Sequence, residues 1–290
     1  MAVRKLLSHM SDTVSAGKLI TLNIPAFSTI NQIFLEFTNA GAPCALADVK
    51  SSISNIALLL NGEEYINISP SNLDIVYNTL GQQVGGTLVN VLPLLLGHLL
   101  YKLPQAEDTF AIGCEGFSKD ASGNWMTLSN IQVQITCGGT ITNVTDVKAY
   151  TERVDKGTGR NLTSATCKML SYFQGFTSVG TSEVDTLPRD SNIGRLFTLA
   201  VPDATGVISS GEALVNNLPV FQQASIEADT VLVKQRGYNS VANVYNYSFT
   251  DGGTSDLLSM QGVTDMRFKT TFTTANTAGY ILVDCTIRSV

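Results

Sequence analysis

The sequence predicts an all-β protein in which one β domain occurs twice. Segments 131–154 (IQVQITCGGTITNVTDVKAYTERV) and 266–288 (MRFKTTFTTANTAGYILVDCTIR) each consist of a strand, a polar turn and a second strand. Each segment closes one half of the chain, and at a constant offset Thr136 corresponds to Thr271. Both segments alternate at period two, which sends every second side chain into a core.

The composition also favours β-sandwiches over a helical bundle. Charged residues make up only 14% of the 290 residues, whereas Thr, Ser, Asn, Gly and Val are abundant. A chain of this length can hold one large or two ordinary domains, each with a sizeable core. The net charge of −6 is spread thinly and forms no basic stripe, so we expect no direct binding of nucleic acid.

The cysteines and the apolar segments limit the compartment and the membrane topology. The five cysteines are scattered without a C-x-x-C pair, so we expect buried thiols in strands and a reducing compartment during folding. No apolar run near the N-terminus is long enough for a secretory signal. The longest apolar stretch, 88–103, is interrupted by Pro93 and Gly97 and is too short to span a bilayer.

The first half of the sequence predicts a series of strands and one helix. Asn61-Gly62 follows an apolar strand and suits a tight hairpin turn. A helix is predicted over 71–80, because Ser or Asn can cap its start and Gly81 ends the apolar helical spacing. The predicted strands of this half lie at 18–24, 30–38, 53–60, 88–103, 110–117, 125–136 and in the closing pair.

The second half repeats this order with other loop lengths. Strands are predicted at 166–173, 193–201, 228–234 and 246–250 and in the closing pair, with a short helix or turn at 238–245. Segments 175–190 and 202–219 read as long loops. The charged, glycine-containing stretch that begins at Asp155 is the best domain boundary. The predicted domains are an N-terminal arm (1–17), a first sandwich (18–155), a linker (156–164) and a second sandwich (165–290).

No motif in the chain predicts catalysis or a cofactor. The chain holds two histidines, His9 in a polar segment and His98 in an apolar one, and neither belongs to a catalytic or zinc-binding pattern. Asp251 and Asp256 could offer oxygens to calcium, but the loop lacks the EF-hand spacing and reads better as a glycine turn. The stretch 156–160 (KGTGR) lacks the spacing of a phosphate-binding loop.

The order of elements resembles the double jelly-roll major capsid proteins of icosahedral viruses with an internal membrane, the corticovirus and tectivirus type. The likeness rests on 58–62 (LLLNG) followed by the helix at 71–80, on 185–189 (DTLPR) leading into 193–201, and on the closing strand–turn–strand. The resemblance implies two tandem eight-stranded jelly rolls with a short helix in each half. It also implies a role in assembly and no catalytic residues.

The same resemblance implies partners and a location. Three subunits would form a pseudo-hexagonal capsomer, and neighbouring capsomers, with minor and penton capsid proteins, would tile an icosahedral shell over the internal membrane of the virion. The protein would be made in the host cytoplasm. The N-terminal arm would lie near the membrane, with Arg4 and Lys5 suited to lipid phosphates and Leu6 and Leu7 beside them.

Two further classes of protein stay open at this point. A carbohydrate-binding β-sandwich would present aromatic side chains to a sugar, for which Trp125 and a tyrosine cluster (Tyr238, Tyr245, Tyr247) are the candidates. A β-sandwich glycosidase would need two carboxylates about 5–10 Å apart across a cleft, and no such pair stands out in the sequence. Subunit contacts fit better, since uncharged polar faces cost little to desolvate.

Overall fold

Each repeated segment forms two strands that lie in different sheets. The computed structural model describes residues 3–80, 90–94, 111–155, 161–188, 193–200, 207–235, 237–249, 258–275 and 279–289. The chain divides into two units. The first comprises Met1–Asp74, Gly86–Met169 and Ser289–Val290, and the second comprises Ile75–Gly85 and Leu170–Arg288.

Antiparallel strands build the first half of the described chain. In chain order its elements are β1 (Val3–Thr13), β2 (Leu19–Ile24), β3 (Thr29–Asn39), β4 (Ala42–Pro43), α1 (Leu46–Ser52), β5 (Ile53–Leu60), β6 (Glu63–Ile68), α2 (Pro70–Leu80), β7 (Val91–Leu94), β8 (Ile112–Gly113), β9 (Ser118–Lys119), β10 (Trp125–Met126), β11 (Ile131–Cys137) and β12 (Asp146–Asp155). One sheet has the order β1-β12-β3, with β4, β7 and β8 also paired to β3, and an eight-stranded sheet contains the run β6-β5-β11-β2.

The inward side chains of these two sheets form the first core. Alternation buries Ile20 and Leu22 of β2 and Val133 and Ile135 of β11, while the residues between them face outward. β-branched side chains dominate these positions because they pack well on a pleated surface. Helix α2 begins where the Ser69 hydroxyl accepts a hydrogen bond from the Asn72 amide at 3.2 Å, which satisfies a free N–H of the first turn.

The second half repeats this arrangement. Its elements are β13 (Ala165–Gln174), β14 (Gly180–Val184), β15 (Ile193–Ala200), β16 (Ile208–Val215), β17 (Leu218–Ser225), α3 (Ile226–Gln235), β18 (Val244–Ser248), β19 (Met266–Phe272) and β20 (Tyr280–Ser289). The strand orders are β18-β15-β20-β13 and β14-β19-β16-β17. Aromatic rings fill the core of the second unit, where Tyr247 packs against Phe268 and Phe221 at centroid distances of 5.2 and 6.2 Å.

Strand pairings correspond one to one between the halves. β12 pairs with β1 and β3, β11 with β2 and β5, and β5 with β6. In the same way β20 neighbours β13 and β15, β19 pairs with β14 and β16, and β16 with β17. β7 on β3 corresponds to β18 on β15. Each half is therefore an eight-stranded jelly roll, and the predicted duplication is confirmed.

A small asparagine-centred motif, here called the asparagine clasp, recurs in both jelly rolls. In the first, Asn61 occupies the turn between β5 and β6 with a positive φ of 51°. Its Oδ1 accepts hydrogen bonds from the amides of Ser129 (2.9 Å) and Asn130 (3.1 Å), and its Nδ2 donates to the carbonyl of Thr127 (3.2 Å). The clasp thus joins a hairpin to the segment that enters β11.

The second jelly roll contains the same bonds. Asn216 lies between β16 and β17 with φ of 49°. Its Oδ1 accepts from the amides of Thr264 (2.8 Å) and Asp265 (3.1 Å), and its Nδ2 donates to the carbonyl of Gly262 (3.1 Å). Those residues lead into β19 as 129–130 lead into β11. Thr264 and Asp265 follow Ser129 and Asn130 by the same offset that relates Thr136 to Thr271.

Several predictions of individual elements are wrong. The strand predicted at 228–234 is helix α3, because the Ser225 hydroxyl caps the Ala228 amide at 3.2 Å and the buried carboxylate of Asp229 accepts a hydrogen bond from the Asn246 amide at 3.1 Å. The prediction of a helix or turn at 238–245 is partly right, since a turn precedes β18, but Val244 and Tyr245 already belong to that strand. The predicted loop 175–190 contains β14, and 202–219 contains β16 and the start of β17.

Other predictions in the first half are partly right. The strand at 88–103 exists over Val91–Leu94, and the residues on either side of 90–94 lie outside the described part. The strands at 110–117 and 125–136 are broken into short pieces before β11. Residues Val3–Thr13, within the predicted arm, form β1 and pair with β12. All five cysteines are buried, none of them forms a disulfide bond, and three lie in strands.

Candidate assembly surfaces

Most of the residues singled out for metal or catalytic chemistry lie outside the part of the chain that the structure describes. Asp251, Asp256 and His98 lie outside the described residues. Within the described ranges no group of three or more His, Cys, Asp and Glu side chains could hold a metal ion. In the same ranges no helix combines the length and apolarity needed to cross a bilayer. The surfaces of the sheets are therefore the features to consider.

Three neighbouring strands of the first jelly roll, β2, β11 and β5, carry no charged side chain on their outward side. We call this surface, formed by the outward residues of β2, β11 and β5, the uncharged face: Leu19, Thr21, Asn23, Gln132, Gln134, Thr136, Asn55, Ala57 and Leu59. The register places Gln134 between Thr21 and Ala57. Six of the nine side chains are uncharged and polar, and three are apolar. On β6, the next strand of that sheet, the charged Glu64 lies opposite Leu59 in register.

Hydrogen bonds within the face satisfy part of its polar groups. Gln132 donates to Asn23 at 3.0 Å between β11 and β2. Asn55 donates to Asn67 of β6 at 2.8 Å. Leu19 remains 57% exposed at the start of β2, which ends the order of its sheet. A sheet edge without charged side chains invites pairing or packing with another chain unless something covers it.

The corresponding surface of the second jelly roll is strongly charged. We call the outward residues of β14, β19 and β16 the charged face. Lys269 of β19 lies between two carboxylates, 3.8 Å from Glu183 and 3.5 Å from Glu212. Arg267, two residues away, pairs with Asp265 at 2.8 Å, and this hydrogen bond raises the pKa of the guanidinium. Burying this face would require desolvation of several charges, which is costly.

The charged face also contains a hollow of about 400 Å³. Its lining is polar and consists of Thr181, Ser210, Gly211, Glu212, Lys269 and Thr271. The hydroxyls of Thr181 and Thr271 lie 3.0 Å apart across β14 and β19. None of these described lining residues is aromatic, so they offer no stacking platform of the kind that a sugar-binding site uses. Tyr245 and Tyr247, proposed from sequence for such a platform, are fully buried.

The N-terminal strand presents apolar side chains at the end of another sheet. Leu6 is 66% exposed and Met10 is 59% exposed. Lys5 is exposed and pairs in register with Arg153, while Leu7 is half-buried. The side chain of Arg4 lies outside the described set. The structure thus shows the backbone of the four predicted membrane-facing residues in β1 and the side chains of three of them.

Family models match both halves of the chain. The model of the viral coat protein P2 N-terminal domain matches residues 5–154, and that of the viral coat protein P2 C-terminal domain matches residues 167–286. The chain belongs to the viral coat protein P2 family. This P2-family chain is a major capsid protein, a structural component of a virion without an enzymatic role. The prediction from resemblance is confirmed.

Solved structures show the same fold. The crystal structure of the major capsid protein P2 from bacteriophage PM2 aligns with a TM-score of 0.76 and 16% identity, over 99% of this chain and 98% of that one. The atomic structure of Sulfolobus turreted icosahedral virus gives a TM-score of 0.68 at 13% identity, over 99% and 91%. The PBCV-1 virus capsid gives 0.65 at 11%, over 99% and 93%. A search of curated proteins found no match.

The comparisons support the double jelly roll and no sugar-binding module. The composition predicted uncharged outer faces for both halves of the protein. In the structure that property belongs to the three strands β2, β11 and β5 of the first jelly roll, whereas the corresponding strands of the second jelly roll carry paired charges. Asn61 was noted only as a turn residue. The pairs Ser129-Asn130 and Thr264-Asp265 before the two repeated segments were the sequence signal for the asparagine clasp.

Proposed function

We propose that this major capsid protein forms homotrimers, that each trimer is a pseudo-hexagonal capsomer, and that capsomers tile an icosahedral shell over an internal membrane. Six similar jelly rolls, two from each chain, would supply six similar edges to one capsomer, and closed threefold symmetry makes identical contacts self-consistent. Minor and penton capsid proteins would complete the shell. The five cysteines are buried and form no disulfide bond, which fits synthesis in a reducing host cytoplasm.

The observation that carries this proposal is the uncharged face. A permanent subunit contact favours surfaces whose burial leaves no charge unpaired, and the face offers amide and hydroxyl groups with Leu19 and Leu59 among them. We propose that this face is buried between chains of a capsomer. We propose also that the charged face remains in contact with solvent, because its ion pairs are already formed within the sheet.

The domain boundaries and the membrane-facing segment are part of the proposal. We propose an N-terminal arm over 1–17 that adds β1 to the sheet of the first jelly roll, a first jelly roll over 18–155, a linker over 156–164 and a second jelly roll over 165–290. Arg4, Lys5, Leu6 and Leu7 would face the internal membrane, and the exposure of Lys5 and Leu6 supports this role. Vesicles that contain anionic lipid should therefore bind a larger fraction of the wild-type chain than of the K5E variant.

A matched pair of charge insertions tests the assembly proposal. Gln134→Lys places a cation in the middle of the uncharged face, whereas Thr181→Lys places the same cation on the charged face. Sedimentation of both variants at equal concentration should show a reduced trimer fraction for Q134K and a normal one for T181K. Equal trimer fractions in both variants and the wild type would show that the uncharged face is not buried between chains.

A further inference from the structure

A buried cation and a histidine meet where the N-terminal strand joins its sheet. Arg153 of β12 is only 2% exposed. Its Nε donates to the Thr151 hydroxyl at 2.8 Å, and its two terminal nitrogens donate to the carbonyls of Phe27 and Pro25. The guanidinium lies 4.1 Å from the centre of the Phe27 ring. Among the described residues the guanidinium forms no ion pair with a carboxylate. Two carbonyl oxygens and the Phe27 ring stabilise its positive charge instead.

His9 of β1 joins this group through the same hydroxyl. Its Nε2 lies 2.7 Å from Oγ1 of Thr151, which is fully buried. The pairing of β1 with β12 is irregular between Ser8 and Ser11, so the backbone ladder is interrupted at His9. The contact between His9 and Thr151 therefore fastens β1 at the point where its main-chain bonds are weakest.

The hydrogen-bond chemistry of the hydroxyl favours a neutral ring. Thr151 Oγ1 already accepts the Nε–H of Arg153 and has one proton to donate. That proton can go to Nε2 of His9 only while Nε2 is unprotonated. A doubly protonated ring would have to donate at Nε2, leaving the hydroxyl proton without this acceptor and placing a second positive charge beside Arg153.

The other charged groups of this region do not offset that second charge. Lys5 of β1 lies opposite Arg153 in register and adds a further cation on the same face. Asp12 is paired with Lys18 at 2.8 Å, beyond the irregular stretch. Strand β2 carries no charged residue, and on β12 Asp146, Lys148 and Glu152 alternate to the opposite face from Thr151 and Arg153. The side chain of Asp155, the last residue of β12, lies outside the described set.

The loop that follows β8 holds two ionisable groups, the Cys114 thiol and the Glu115 carboxylate. Burial raises the pKa of the Cys114 thiol to about 11, so it stays neutral near Arg153. The carboxylate of Glu115 accepts the Asn161 amide at 3.0 Å. Burial and the charge of Arg153 together lower the pKa of His9. The stability that neutral His9 contributes is thus complete above its ordinary pKa of about 6.5 and is lost as the pH falls below it.

We propose that His9 is a proton-sensitive latch of the N-terminal strand. Neutral His9 fastens β1 to β12 through Thr151, and protonation of the ring beside Arg153 releases Val3–Thr13 from the sheet. A coat protein with such a latch changes the accessibility of its N-terminus in acid without a ligand or a partner. This inference uses only contacts within the first unit and stands independently of the proposed trimer.

Hydrogen exchange of the full-length protein tests the latch. Amide protection of residues 3–13 is measured by mass spectrometry at about pH 8 and about pH 5, each corrected for the intrinsic exchange rate of the unfolded chain. The wild type should lose protection of this segment at the lower pH. His9→Gln, which stays neutral and can still bond to Thr151, should retain it. His98→Gln, the only other histidine variant that the chain allows, should behave as the wild type.

Equal loss of protection in H9Q and the wild type, or no loss in the wild type, would overturn the proposal. If H9Q fails to hold β1 even at about pH 8, a histidine titration of the wild type by nuclear magnetic resonance decides the matter. The midpoint of His9, identified by comparison with H98Q, should lie below its ordinary value and should coincide with the exposure of β1. A midpoint that does not coincide would also contradict the latch.

Discussion

Removing the side-chain amide of Asn61 should destabilise the first jelly roll without changing its hairpin. Asn61→Gly keeps the positive φ of 51°, which glycine adopts freely, but removes the Oδ1 that accepts two backbone amides and the Nδ2 that donates to a carbonyl. At about 0.5–1.5 kcal/mol for each net hydrogen bond, and with water able to replace part of them at this exposed turn, we expect a loss of about 2 kcal/mol.

Two further variants separate the causes. Asn61→Ala loses the same bonds and also forces a β-carbon into the left-handed region, so it should be about 1 kcal/mol less stable than N61G. Asn143 has a similar φ of 50° and an exposed side chain outside the asparagine clasp, and Asn143→Gly is the matched control. It should unfold as the wild type does, within about 0.5 kcal/mol.

Urea unfolding followed by tryptophan fluorescence measures these effects. Trp125 is the only tryptophan of the chain, and it lies in β10, just before the residues that Asn61 binds. A lower midpoint with an unchanged slope reports a change in the free energy of unfolding. If N61G unfolded at the wild-type midpoint, the clasp would not tie β11 to the hairpin. Equal midpoints for N61G and N61A would refute the estimate of backbone strain.

Three other substitutions test separate parts of the fold. Gly113→Ala should prevent or severely reduce soluble expression, because a β-carbon there would lie 2.2 Å from the Asn161 carbonyl oxygen, whereas Gly139→Ala meets nothing within 4 Å and should express normally. Tyr247→Phe should cost about 1–3 kcal/mol at neutral pH, since the Lys269 carbonyl loses the hydroxyl that donates to it at 2.7 Å. Burial raises the pKa of Tyr247 far above its ordinary value of about 10. The stability that the neutral phenol contributes is therefore complete below about pH 10 and is lost as the pH rises above it. In alkaline unfolding followed by tyrosinate absorbance, stability should fall less steeply with pH in Y247F than in the wild type. Asp229→Ala should loosen α3 and increase its amide exchange, because the Asn246 amide that donates to Asp229 is buried.

The regular strands could be predicted from sequence because their alternation is strict. The two closing pairs of strands were recognised because their side chains alternate at period two. A constant offset between them matches Thr136 with Thr271. β1 could not be predicted in this way. Its sequence places Leu6 and Leu7 side by side and puts His9 on the inward face, so no alternation is visible. The strand exists because it pairs with β12 over its length.

Helix α3 was missed for the opposite reason. Its sequence contains the run Thr230–Val233, which favours a strand by local propensity. The Ser225 cap and the buried contact of Asp229 with Asn246 outweigh that preference, and both depend on where β17 and β18 lie. Similarly, composition predicted polar uncharged surfaces, but the contrast between the uncharged and charged faces requires the strand order. The membrane-facing role of Arg4 to Leu7 stays a prediction.

The measurement that tests assembly most directly is the solution mass of the purified wild-type protein. Light scattering at low and high salt should give a trimer of three 31.0 kDa chains, about 93 kDa, or a larger shell-like particle. The trimer should persist at high salt, because the proposed contact surface carries no charge to be screened. A monomer at micromolar concentration and above, at either salt, would contradict the proposed capsomer.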